Sequence, residues 1–369
     1  MDPRVLDKML PYFLEKFGNA ASRTHAYGWE ADEAVTEARE RAASLIGAHT
    51  REIIFTSGAT ESVNLALKGI FENLHHQGNH IITVQTEHKA VLDTCYNLEQ
   101  KGAHVTYLPV QANGQINISD LEAAITSQTI LIAIMYANNE TGVIQPMREI
   151  GKIAAQHNIL FFTDATQAVG KIPVDVNETG IDLIAFSAHK LYGPKGVGAL
   201  YVRKNKGIAL KAQTDGGGHE RNMRSGTLNV PGIVGFGLAC QLAEKNLDRE
   251  YHRLLGLRDS LENNLTDLDI QVNGKHGPRL PHCTNITFPG ISGERLMLEA
   301  SSQLAFSQSS ACTSATIQPS HVLKAMRIPD ELIQNSFRFS VGRFTTEEEI
   351  NQSVSVISKI VKAHRSERN

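Results

Sequence analysis

Lys190 stands in Ser187-Ala188-His189-Lys190, at the end of the apolar run Asp182-Leu183-Ile184-Ala185-Phe186-Ser187. A lysine at the carboxyl end of a buried strand is partly desolvated, which lowers its pKa and frees the amine for imine formation, although an arbitrary lysine is far more often a surface loop residue. Asp164 directly follows Ile159-Leu160-Phe161-Phe162-Thr163, with Thr166-Gln167 beyond it. A carboxylate buried there needs a cationic partner, and residue types alone leave that partner open: a metal ion, an arginine or a protonated pyridine nitrogen. Ser57-Gly58-Ala59-Thr60-Glu61-Ser62 follow the run ending at Thr56. Small residues let the backbone come close to a ligand, and a helix starting there offers free N–H groups and the positive end of its dipole. The same six residues also suit an ordinary strand-to-helix turn capped by Ser or Thr.

The combination says more than its parts. An anion cradle, a carboxylate after one strand and a lysine after the next meet three demands of a phosphorylated pyridine cofactor held as an imine. A separate nucleophile is offered by Cys312, set among Phe306-Ser307-Gln308-Ser309-Ser310-Ala311-Cys312-Thr313-Ser314-Ala315. That polar run has neither helical nor strand period and is expected to be a mobile loop. Cys95 shares a helical face with Val91 and Leu98, and Cys240 lies in the apolar stretch IVGFGLACQLA, so both read as core residues. Cys283 alternates with polar neighbours in a strand and carries no assigned role.

The elements that position these groups follow from the pattern of apolar runs. EIIFT (52–56), HIITV (80–84), HVTYL (104–108), TILIAIM (129–135), ILFFT (159–163), DLIAFS (182–187) and GALYV (198–202) alternate with helical-period stretches. That order predicts βαβ units, and near-continuous apolar runs predict a mainly parallel sheet with helices on both faces. Ligands of such α/β sheets bind beyond the carboxyl ends of the strands, where Asp164 and Lys190 stand. A glycine-rich loop, DGGGHERNMRSGTLNVPG (215–232), precedes a long helical stretch from about Ile233 to Leu265. The remainder mixes strands HCTNITF (282–288) and SFRFSV (336–341) with helices, the last opening on a T-x-x-E capping pattern at Thr346. The expected organisation is a large domain over 1–232, a linking helix over 233–268 and a smaller α/β domain over 269–369 that carries the Cys312 loop.

Composition narrows the function classes. With 36 Lys+Arg against 39 Asp+Glu and a formal charge of −3, nothing calls for a nucleic-acid backbone or an anionic membrane. The longest apolar run, Thr129 to Ala137, is far shorter than the roughly 20 residues of a membrane helix, so a soluble protein is expected. The opening residues lack the apolar core and cleavage site of an export signal. Four cysteines without a C-x-x-C pair argue against a zinc site and a disulfide framework and for the reducing cytoplasm. Fifteen histidines show no metal-ligand spacing, so no metal is expected.

The stretches FTSGATES, TEHKAVLDTC, NNETGV, DATQAVGK, SAHKLYGPKGVGALYVR, GGGHERNMRSGTL, SSACTSA and RFSVGRFTTEEEI resemble, in order and throughout the chain, the group I cysteine desulfurases of the IscS and NifS kind. The resemblance implies a fold-type I, aspartate-aminotransferase-like homodimer that uses pyridoxal 5′-phosphate. It implies that Lys190 carries the cofactor and acts as base on the substrate Cα proton, and that Asp164 partners the pyridine nitrogen. It further implies that His88 stacks on the ring and shuttles a proton, and that Gln167 bonds the phenolic oxygen. Ala59, Thr60, Ser187 and His189 surround the phosphate by the same resemblance, with Thr227 reaching in from the other subunit. Asn139 and Arg338 match positions that bind the substrate carboxylate, a task suited to an arginine fork. Cys312 matches the cysteine that attacks the substrate sulfur, keeps it as a persulfide and leaves alanine. The implied partners are L-cysteine, a second copy of the chain and a sulfur acceptor such as an iron–sulfur scaffold protein.

Three departures stand out. The cysteine loop reads S-Q-S-S-A-C where the family usually has S-S-G-S-A-C, so Gln308 and Ser309 are expected to stiffen it. Ala188 replaces a common glycine. The chain opens at Met1-Asp2-Pro3-Arg4-Val5, without the L-D-x-x-A-T-T-P segment that usually precedes D-P-R-V, and stops at Asn369 without the tail many relatives use to dock a scaffold. Two competing readings are a selenocysteine lyase or other pyridoxal-phosphate lyase, and a non-catalytic member of the family. Retention of Lys190, Asp164, His88, Cys312 and Arg338 speaks against the last, which needs none of them.

Overall fold

The computed structural model describes residues 1–308 and 319–367 with their side chains and, between them, the backbone of 311–313 and 316–318. Two compact units divide the chain. The first comprises residues 1–108, 118–136 and 146–247, the second 109–117, 137–145 and 248–369.

The first unit is built on seven strands: β1 (Ile53–Thr56), β2 (His80–Val84), β3 (His104–Leu108), β4 (Thr129–Ala133), β5 (Leu160–Asp164), β6 (Leu183–Ser187) and β7 (Gly198–Val202), in the sheet order β1-β7-β6-β5-β4-β2-β3. Strands β2 to β6 pair in parallel, whereas β7 runs antiparallel to both β6 and β1. Every residue of β1, β2, β4, β6 and β7 is buried, as the unbroken apolar runs require of strands covered on both faces. In β5 only Leu160 is half-buried, and the edge strand β3 is the most exposed. Its core joins Ile54, Ile81, Leu131, Phe162, Ala185 and Leu200 of the sheet to Val63, Leu67 and Ile70 of helix Ala59–Leu74 and to Val91, Cys95 and Leu98 of helix Lys89–Glu99. Burial of each large aliphatic or Phe side chain contributes about 1.5–3 kcal/mol. From β2 the chain steps to β3 on one side and then to β4 on the other, so the topological switch point, where such sheets bind ligands, lies between β2 and β4.

The second unit holds β8 (Gln271–Val272), β9 (Cys283–Thr287), β10 (Ser307–Gln308) and β13 (Ser336–Ser340) in an antiparallel sheet of order β10-β13-β9-β8, and a separate two-stranded ribbon of β11 (Ala311–Thr313) with β12 (Thr316–Gln318). Phe288, Phe337 and Phe339 pack with Leu254, Leu257 and Leu261 of helix Val230–Asn264 and with Ile357 and Val361 of helix Glu347–Ser366. The predicted capping pattern is realised: Thr346 Oγ1 accepts from Glu349 N, and Glu349 Oε2 accepts from Thr346 N. Among the described residues no helix is long and apolar enough to cross a membrane.

Candidate active site

Helix Ala59–Leu74 starts directly after β1 with Gly58 as its N-cap and no side-chain cap. The expected Ser or Thr cap is therefore absent. Gly58 adopts φ 151°, in the range that favours glycine, and a side chain on Gly198 would fall 2.7 Å from Gly58 Cα. The chain can approach this closely because Gly198 lacks a Cβ, while Gly58 is needed for its positive φ. The consequence is a first helical turn whose amides are left without a capping side chain, beside Ser187, whose Oγ lies 3.7 Å from where a Gly58 Cβ would stand. Glu61 accepts from Ser57 N at 2.7 Å and from Arg224 Nε at 2.7 Å. Burial raises its pKa, but Arg224 and Ser57 outweigh burial and hold it below the usual range.

At the end of β6, Ser187 is buried and its Oγ lies 2.7 Å from His189 Nδ1. Desolvation first, then Lys190 and Lys195, lower the His189 pKa, which favours the neutral ring. Lys190 follows in a short 3-10 turn, Ala188–Leu191. It is exposed. Asp164, the last residue of the neighbouring β5, is 8% exposed and its Oδ1 accepts from Thr166 N at 3.0 Å. Gln167, three residues after Asp164, is half-buried. Thr60 and Thr227 are exposed and Ala59 half-buried.

Across the switch point, the carboxyl of Glu87 accepts the Met135 amide that follows β4. Burial and the neighbouring Asp164 charge raise the Glu87 pKa well above the carboxylate range. The next residue, His88, caps helix Lys89–Glu99 by accepting from Ala90 N at 3.1 Å, with its ring exposed. Sequence reading passed over Glu87; its one signal was its place immediately before His88. It also passed over Glu220, which takes both guanidinium nitrogens of Arg39 (2.7 and 2.6 Å) and the Phe55 amide (2.7 Å). This clamp fixes three successive left-handed residues, Glu220, Arg221 and Asn222, in the segment leading to Thr227.

In the second unit, Arg338 on β13 donates from Nη1 to the Asn139 carbonyl at 3.1 Å and from Nη2 to Ser307 Oγ at 3.3 Å. These contacts bring the two expected carboxylate-binding residues together. Cys312 lies in β11, its backbone opposite Ile317 of β12. The expected irregular loop is replaced by a ribbon, because two three-residue strands pair locally without needing an apolar period. The Cys312 side chain lies outside the described residues. Gln308, flagged as a departure, belongs to β10 and donates from Nε2 to the Gln334 carbonyl at 2.7 Å. The other cysteines are free, buried thiols. Desolvation raises the pKa of Cys95 and Cys240 and pushes that of Cys283 up to about 11. Among the described residues no His, Cys, Asp and Glu cluster could hold a metal ion.

The sequence pattern of the aminotransferase class-V family matches residues 1–352. The chain belongs to that family. It is 52% identical over 367 residues to "Cysteine desulfurase IscS" of Anaeromyxobacter sp. (strain Fw109-5), covering 99% of this chain and 91% of that protein. It is 49% identical to the human protein "Cysteine desulfurase", covering 99% of this chain and 80% of that one. Among solved structures, a "NIFS-LIKE PROTEIN" superposes with a TM-score of 0.91 at 38% identity, covering 98% of this chain and 96% of the other. "SspA in complex with cysteine" does so at 0.83 and 35%, covering 94% and 97%. Relatives of this kind make the family an IscS/NifS-like, pyridoxal-phosphate-dependent one. The donor set of the first unit fits that cofactor: uncapped helix amides, Ser187 and a neutral His189 for a phosphate, the buried Asp164 carboxylate for a pyridine nitrogen, and the Lys190 amine for an aldehyde carbon.

Proposed function

We propose that this chain desulfurates L-cysteine, releasing L-alanine and keeping the sulfur as a persulfide on Cys312. The observation that carries the reading is the convergence, at the carboxyl ends of β1, β5 and β6, of an uncapped helix start, a buried carboxylate and the turn that bears Lys190. Bound there through Lys190 Nζ, pyridoxal phosphate supplies the electron sink that acidifies the substrate Cα–H bond.

The remaining work falls to the chain's own residues. Asp164 keeps a proton on the pyridine nitrogen, and Gln167 donates to the phenolic oxygen. The amides of Ala59 and Thr60, with the side chains of Thr60, Ser187 and His189, hold the phosphate, and Thr227 of a second copy completes this set in a homodimer. Asn139 and Arg338 take the substrate carboxylate. Lys190 Nζ removes the Cα proton, and His88 covers the ring and carries a proton. The Cys312 thiolate attacks the substrate sulfur: an S–S bond forms, the Cβ–S bond breaks with its electron pair left on carbon, and protonation there gives the methyl group of alanine. Sulfur then leaves for an acceptor protein of iron–sulfur or other thio-cofactor synthesis. Buried, free thiols at Cys95, Cys240 and Cys283 agree with a reducing, cytoplasmic setting.

The test is direct. Purified protein should absorb as a lysine-bound pyridoxal chromophore and, given L-cysteine and a thiol reductant, produce alanine and sulfide in equal amounts. Lys190→Ala should lose the chromophore. Cys312→Ala should keep it and lose persulfide formation; sulfide release at the wild-type rate from that variant would remove Cys312 from its role.

A further inference from the structure

Both ends of the segment that bears Cys312 are tied to the same pair of residues. At its amino-terminal root, Ser307 in β10 accepts from Arg338 Nη2 at 3.3 Å. At its carboxyl-terminal root, two residues beyond β12, the buried Ser320 donates from Oγ to Glu140 Oε2 at 2.6 Å. Glu140 directly follows Asn139, whose carbonyl accepts Arg338 Nη1 at 3.1 Å. The contacts run as a chain, Ser307–Arg338–Asn139–Glu140–Ser320, that joins the two roots of the segment to each other.

Ser320 and Glu140 are each held by further contacts. Ser320 also accepts from Leu323 N at 3.2 Å, as N-cap of helix His321–Ala325, so its hydroxyl both donates and accepts. Glu140 is fixed along its backbone: its amide donates to Asn138 Oδ1 at 2.9 Å, and its carbonyl accepts from Asn285 Nδ2 at 3.3 Å. Burial raises the pKa of its carboxyl against the pull of Ser320, His321 and Arg338. A half-buried carboxyl spent on a serine hydroxyl has little reason to be an acid unless the bond itself matters.

We propose that Glu140 is a positioning residue: through Ser320 it anchors the Cys312 ribbon to the Asn139–Arg338 pair, so that the nucleophile is held relative to the substrate carboxylate. The inference rests on the roles given above to Arg338 and Cys312. It specifies what holds the ribbon, a matter separate from whether the chain turns over cysteine.

The experiment is a double-mutant cycle on the holoenzyme with Glu140→Ala, Ser320→Ala and both together. Two readouts are taken after rapid mixing with L-cysteine: the first change in cofactor absorbance, which needs no thiol, and persulfide on Cys312 by mass spectrometry. Each single variant should slow persulfide formation about fivefold or more while leaving the first absorbance change within twofold. The double variant should be no slower than the slower single variant, and Glu140→Gln, whose amide oxygen still accepts from Ser320, should stay within twofold of wild type. The loss of the Ser320 helix cap recurs in both arms of the cycle and cancels. Amide hydrogen exchange in residues 311–318, which needs no turnover, should quicken at least threefold in Glu140→Ala. Unchanged exchange, multiplying effects in the double variant, or a Glu140→Gln as slow as Glu140→Ala would each overturn the anchor. A wild-type protein that forms no persulfide would instead overturn the desulfurase reading, with the exchange comparison still deciding the anchor.

Discussion

Ser187 Oγ lies 2.7 Å from His189 Nδ1 at the end of β6, and 3.7 Å from where a Cβ would stand on Gly58, the cap of helix Ala59–Leu74. The hydroxyl sets the orientation of the ring, while partial desolvation and the charges of Lys190 and Lys195 lower its pKa. Ser187→Ala should therefore weaken pyridoxal phosphate binding about threefold to tenfold, the worth of one net hydrogen bond of about 0.5–1.5 kcal/mol. Titration of apoprotein followed by absorbance measures it, and an unchanged affinity would take Ser187 out of the phosphate set.

Arg338 offers its guanidinium from two nitrogens, to the Asn139 carbonyl and to Ser307. A lysine there keeps the charge but not the planar fork. Arg338→Lys should raise KM for L-cysteine about tenfold or more, a loss of about 1.4 kcal/mol of carboxylate binding, in steady-state alanine assays. The absorbance of the resting protein should not change.

Thiol reactivity should be concentrated at one position. Cys95, Cys240 and Cys283 are buried, with desolvation holding their thiols protonated at neutral pH. Native protein treated with iodoacetamide at pH 7.5 should take up one label within minutes, mapped by peptide mass spectrometry to Cys312. Cys312→Ser should remove the rapid phase entirely, and labelling of any other cysteine at a comparable rate would contradict it.

Stability should fall on mild acidification. His80 is 2% exposed, with Nδ1 2.7 Å from Thr129 Oγ1 and Nε2 2.9 Å from Thr106 Oγ1, and the neighbouring His104 ring at 4.9 Å. Desolvation, then His104, lower its pKa from the ordinary value of 6.5. The unfolded chain thus binds a proton near pH 6.5 that the folded chain refuses, so the unfolded state gains as pH drops through that value. His189 carries the same sign. The urea midpoint should be lower at pH 5.5 than at 7.5, and His80→Gln, which keeps a hydrogen-bonding group, should shrink the difference.

Much of this architecture could be read from residues in order. Phe161-Phe162 beside Asp164, and Ile184-Ala185-Phe186 beside Ser187, announce buried strands because a covered parallel strand has no polar face to interrupt it. Thr346 and Glu349 announced a capping box because both partners lie within four residues. What stayed hidden was set by partners far away in the chain. GALYV reads alike in either direction, so the reversal of β7 leaves no trace in it. Gly58 as cap depends on Gly198, and the exposure of Lys190 on the turn Ala188–Leu191. Glu140 looked like any polar residue of N-N-E-T-G, since Ser320 lies 180 positions away. The ribbon around Cys312 escaped notice because strands of three residues are too short to show a period.

The pairing of β1 with β7 alone has a consequence for synthesis. Residues 57–197 must all be made after β1 before β7, its only partner strand among the described residues, exists, which at about 5–20 residues per second leaves the strand waiting on the order of ten seconds. The proposed phosphate site lies just beyond that strand, where Gly58 meets Gly198. A nascent chain that has reached His189 thus carries Ser187 and His189 but still lacks Gly198, the residue against which Gly58 is set, so under the proposed function the phosphate-binding end of the sheet would be unfinished until β7 is made.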